Sequence, residues 1–164
     1  MERSEMEARN DMALAFERML IPIMARPGQP TTQDGTRLGV VVVFTSVEST
    51  VHALRRAGAL ATRLSAHITL VVPQVVPYPL PLTSPPVLLD FSERRFRVIA
   101  AESPVETTVR LYLCRDEMET LAAVLEPHSL IVLGGRKRWW PTQETRLARK
   151  LRRAGHEVIL EETE

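Results

Sequence analysis

The chain has 164 residues, of which 45% are apolar and 25% charged, with a net charge of +1. That is enough for one domain with a short appendage and a single substantial core. A charge so near zero gives no global field toward nucleic acid or anionic membrane, so electrostatic recognition has to come from local clustering. The single cysteine, Cys114, excludes a disulfide framework and a cysteine zinc site, and the four histidines show no ligand spacing. No apolar run reaches the ~18 residues of a membrane span. The opening "MERSEMEARNDM" is acidic where a secretory signal is basic, so the expected location is the cytoplasm.

Met12, Phe16, Met19, Leu20 and Ile23 recur at helical spacing, which predicts a helical arm over residues 1–24, with Phe16 a candidate partner contact. Its hydrophobic face folds back on the domain or docks to a partner. Residues 25–37 are a linker containing Pro, Gly and Thr. The body of the protein is then residues 38–164.

"LGVVVVFT" at 38–45 is almost wholly apolar, as a strand buried on both faces is. The next segment is helical, with Val51, Leu54, Ala57, Gly58, Ala61 and Leu64 as its apolar stripe and Ser46 as its cap. "HITLVV" at 67–72 is a second buried strand. "PQVVPYPLPLTSPP" holds six of the twelve prolines and reads as a long loop from Pro73 onward. Residues 87–102 follow as a helix with Leu88, Phe91, Val98 and Ile99 inward. A strand at 105–113, a helix at 116–127, the strand "SLIVLGG", a helix at 142–154 and the strand "HEVILEE" complete the chain. This alternation predicts a doubly wound parallel sheet of five strands with helices on both faces. Ligands bind such sheets at the carboxyl ends of the strands, where the strand order reverses.

The segment after Leu133 draws attention. Paired glycines between strand and helix let backbone amides approach an anion, and a helix N-terminus adds partial positive charge. Between Gly134 and Gly155 lie eight basic residues and one acid, Glu144. Against a phosphate site, Pro141 removes a donor, Thr142 serves equally as a helix cap, and the arginines of 146–153 lie opposite Leu147, Ala148 and Leu151 on a solvated face. Trp139 and Trp140 are adjacent; one covers the core and the other is a candidate contact surface. Arg115 beside Cys114 could lower the thiol pKa, although a lone cysteine is more often structural.

The segments "LGVVVVFTSVESTVHALRRAGALATRLSAHITLVV" and "VETTVRLYLCRDEMETLAAVLEPHSLIVLGGRKR", followed by the last helix and "HEVILEE", resemble the universal stress protein family over residues 38–162. The resemblance implies a Rossmann-like fold and a homodimer in which the terminal strand, through Val158 and Leu160, pairs with its copy. ATP-binding members carry an acidic residue just after the first strand and a G-x2-G-x9-G pattern followed by Ser or Thr after the fourth. Here Thr45, Ser46 and Val47 precede the first acid, Glu48. Lys137 takes the second glycine position, and Pro141 precedes Thr142. The ATP motif is degenerate.

The expected function is a non-catalytic regulatory or scaffold protein that dimerises and meets protein partners, requires no cofactor or metal, and binds no nucleic acid. The alternatives are a nucleotide-binding member and an accessory subunit of a larger assembly. In the nucleotide reading, ATP or another adenine nucleotide contacts Thr45, Ser46, Val72, Gly134, Gly135, Arg136 and Thr142. Trp139 and Trp140 are candidate partner contacts, and in the accessory-subunit reading they form a contact surface with the proline-rich loop and the N-terminal helix.

Overall fold

The computed structural model describes residues 38–85 and 87–163, together with the backbone of residues 16–20. In chain order the strands are β1 (Phe16–Leu20), β2 (Gly39–Val43), β3 (His67–Val75), β4 (Thr107–Cys114), β5 (Leu130–Arg136) and β6 (Glu157–Thr163). The helices between them are α1 (Val47–Leu64), α2 (Leu89–Ala100), α3 (Glu117–Val124) and α4 (Gln143–Arg153). All strands are parallel, in the order β1-β4-β3-β2-β5-β6. The chain steps from β2 through β3 to β4 on one side, then returns to β5 and β6 on the other. The order therefore reverses at β2, and the connections leaving β2 and β5 run to opposite faces of the sheet, to α1 and α4.

The two-residue period of the strands divides the core. Val40, Val42, Ile68, Leu70, Val109 and Leu111 face α1 and α2. Val43, Val71, Tyr112, Ile131 and Leu133 face α3 and α4. On α1 the buried positions are small (Thr50, Ala53, Ala57, Gly58 and Ala61), with Leu54 the one large side chain, so the helix lies close on the sheet; Leu64, expected in the stripe, is exposed. Ser46 caps the helix by accepting from the Ser49 amide, and Ser65 ends it in the left-handed conformation.

Four expectations need correction. Phe16–Leu20 is a strand in parallel register with Val109–Leu113, not helix; the rest of the expected arm and its linker lies outside the described residues. The exposed edge of β4 offers a row of ladder groups, and pairing with them overrides a helical spacing of apolar residues. β3 continues through Pro73 to Val75. Its pairing with β2 stops at Val71, so beyond that point it has one neighbour, β4, and a residue without an N–H is tolerated. In α2 the inward residues are Ser92, Phe96, Ile99 and Ala100, whereas Leu88, Phe91 and Val98 are 80%, 61% and 69% exposed. Phe96 packs edge-on against Phe44, at 5.0 Å between ring centroids, and this contact sets the rotation of the helix. Neither Trp139 nor Trp140 covers the core.

Candidate functional site

At the reversal point β2 gives way to a short turn of hydroxyl residues, each with an internal partner. The Phe44 amide donates to Val71 O at 2.9 Å, which keeps the chain beside β3 one residue past the strand. Thr45 Oγ1 donates to Gly134 O at 2.9 Å, and the Thr45 amide donates to Thr50 Oγ1 at 3.2 Å. Ser46 Oγ accepts from the Ser49 amide at 3.3 Å. Thr45 and Ser46 are thus brought to Gly134 as expected, and their oxygens stitch β2, α1 and β5 together.

Gly134 is where the elements meet most closely. A Cβ on it would stand 1.9 Å from Ser49 O and 2.4 Å from Ser49 C. Those are backbone atoms of the first turn of α1, so no side-chain movement relieves the overlap. Gly135 is different: a Cβ there would meet Glu144 Cβ at 3.3 Å and Leu160 Cδ1 at 3.4 Å, both side chains. Neither glycine opens a loop. β5 runs on through both to Arg136, in register with Glu161, Glu162 and Thr163 of β6. The Lys137 amide still donates to Thr163 O at 2.8 Å, and Thr163 Oγ1 donates to Gly135 O at 3.3 Å.

Arg136 sits at the mouth, but its Nη2 donates to Glu48 Oε2 at 2.6 Å. This pair joins the first acid after β2 to the first base after the glycines. Both side chains are largely exposed, so the pair contributes about 0–1 kcal/mol. Thr142 accepts from the Thr145 amide at 3.2 Å and is the N-cap of α4. Val72 is wholly buried under α1 and α2 and does not line the crevice.

Between Arg136 and Thr142, Trp139 and Trp140 are 86% and 62% exposed, with ring centroids 4.3 Å apart and planes inclined at 45°. Val158 is buried against α4, and Leu160 is half-buried. β6 is the last strand of the sheet, so no described strand pairs with its outer edge, although Val158 O accepts from the Arg152 guanidinium at 2.8 Å. Phe16 lies in β1, and only its backbone is described.

Cys114 ends β4 and is buried. Burial pushes its thiol pKa up, with the charges of Glu117 and Asp116 adding to the effect and a hydrogen bond with Thr120 opposing it. Arg115 does not activate it, because the guanidinium is engaged elsewhere. Nη1 donates to Val76 O at 2.6 Å, Nη2 to Leu80 O at 2.7 Å, and the group lies 4.1 Å over the Tyr78 ring. One side chain thereby fastens the proline-rich loop. Sequence reasoning missed this role: the acceptors lie 39 and 35 residues away, and no local spacing marks them. Glu117 is also raised, by burial and then by Asp116. Among the described residues no group of three His, Cys, Asp or Glu could hold a metal ion, and no described helix is long and apolar enough to cross a membrane.

No protein-family model matches the chain, and no curated relative does. Among solved structures it is similar to a universal stress protein from Archaeoglobus fulgidus, at 16% identity and a TM-score of 0.48, covering 75% of this chain and 92% of that one. A universal stress protein family member from Burkholderia pseudomallei gives 23% identity and 0.49, covering 78% and 98%. A universal stress protein in complex with cAMP gives 19% and 0.48, covering 75% and 95%. The α/β class assigned to this chain stands on its own strand order and register, described above.

Proposed function

We propose that the chain is a non-catalytic regulatory or scaffold module of the universal-stress-protein kind, acting through its surfaces rather than through a nucleotide. The observation that carries this reading is the seat of α1 on Gly134: the glycine nearest the expected phosphate position is needed to admit the Ser49 carbonyl. The hydroxyls of Thr45, Ser46 and Thr142 have internal partners, and Arg136 is paired with Glu48. The open edge of β6 supports self-association, since an unpaired edge strand gains ladder hydrogen bonds from a second copy in a two-fold dimer.

A nucleotide-binding reading is favoured by one feature, the basic run placed just before the N-terminus of α4. Calorimetric and thermal-shift titration with ATP, AMP and inorganic phosphate decides between the two. The surface-acting module shows no rise in melting midpoint at millimolar ligand. A saturable rise overturns it, because a ligand bound only by the folded state stabilises that state by mass action.

A further inference from the structure

The geometry points to a docking surface for an anionic lipid bilayer, formed by the Trp139–Trp140 tip and the outer face of α4. It goes beyond the surface-acting reading and does not depend on whether the crevice takes a nucleotide. Both tryptophans stand clear of the fold, and only Pro141 separates them from the α4 N-cap, Thr142. Exposed indoles at a loop tip suit the headgroup boundary of a membrane, where an apolar ring and a polar N–H are both accommodated.

The charge beside them has the matching sign. Lys137 and Arg138 flank the tip, and Arg146, Arg149, Lys150 and Arg153 recur at the three- and four-residue spacing of one helix face, all exposed. From Arg146 to Arg153 that face extends about 11 Å. The side chains of Lys137, Arg138, Arg146, Arg149 and Arg153 form no ion pair with another described residue. Glu144 is the single acid among residues 136–153. A cluster of this size next to inserting aromatics attracts anionic headgroups although the whole chain is near neutral. Single-stranded nucleic acid fits less well. The indoles touch each other at a 45° inclination, which leaves no flat slot between them for a base.

The chain carries two tryptophans, both in this tip, so its tryptophan emission, excited selectively over that of Tyr78 and Tyr112, reports the tip alone. The full chain is mixed with phosphatidylglycerol–phosphatidylcholine vesicles and, separately, with pure phosphatidylcholine vesicles. Co-sedimentation, emission wavelength and quenching by brominated lipid are read. The expected result is sedimentation with the anionic vesicles only, a blue shift, quenching, and loss of binding as salt rises from about 50 to about 500 mM. R146E/R149E weakens partitioning at least about tenfold with an unchanged melting midpoint, and W139S/W140S abolishes it. Anionic vesicles that leave the emission unmoved overturn the proposal. So does W139S/W140S binding as well as the parent, or binding of a single-stranded oligonucleotide or acidic peptide where vesicles give none.

Discussion

Replacing Gly134 with alanine tests the packing on which the crevice depends. The new Cβ would lie 1.9 Å from Ser49 O, well inside contact distance, and the atom it meets is a helix-turn carbonyl. Relief requires α1 to lift at its first turn or β5 to sink toward α4. Overpacking a filled site costs about 1–3 kcal/mol. Lifting that turn also disturbs the cap that Ser46 makes to the Ser49 amide, worth about 1 kcal/mol. A total of about 2–4 kcal/mol corresponds, for a chain of this size, to a melting midpoint lowered by roughly 5–15 °C. Urea unfolding and a thermal melt measure it, with Gly135→Ala as the control. There the neighbours are side-chain carbons at 3.3 and 3.4 Å, and the expected change is under about 1 kcal/mol. If Gly134→Ala melts within two degrees or so of the parent, the seating of α1 is not what requires glycine here.

Two further outcomes follow from individual contacts. His156 Nδ1 accepts from the Ser129 amide, and burial, then the charge of His128, lowers the His156 pKa below the ordinary histidine range. The unfolded chain then binds the proton more readily than the folded one, so stability is complete above the ordinary value and falls as pH drops toward the folded one. Urea midpoints compared at about pH 8 and about pH 5 should show this loss reduced in His156→Asn; an identical loss in both proteins refutes the assignment. Arg115→Met removes both guanidinium hydrogen bonds to the proline-rich loop. Limited proteolysis within residues 77–88 should accelerate severalfold while the rest of the fold resists, and an unchanged cleavage rate shows that the loop holds without the guanidinium.

The doubly wound body was legible because β2, β5 and the first half of β3 are apolar runs whose burial on both faces leaves no ambiguity of period. The exceptions arise where a neighbour decides. Pro73 is admitted to β3 because β2 has already turned away, a fact about a strand 28 residues distant in register (Val43 opposite Val71). Residues 16–20 become strand because β4 presents an edge. The rotation of α2 follows from the meeting of Phe96 with Phe44, not from its own pattern, in which Leu88, Phe91 and Val98 make an equally good stripe. Of the expected site, Thr45 bonds Gly134 and Arg136 reaches Glu48 in the first turn of α1, because strand ends gather at a topological reversal, whereas the bonds of Thr142 stay within the first turn of α4. What their atoms bond to was illegible, since Glu48 and Arg136 are 88 residues apart. Val72 shares the α1 face with Gly134 but lies wholly buried under α1 and α2, so it lines no crevice.

The position of the Ser49 carbonyl over Gly134 makes the crevice a matter of volume before it is one of charge. Adding cations at the mouth leaves that carbonyl in place. A molecule that took the space directly over Gly134 would have to displace the turn first, since the Ser49 carbonyl occupies it. Its arrival would register in hydrogen exchange as deprotection at the start of α1, the reverse of the protection that a preformed pocket gives when it fills.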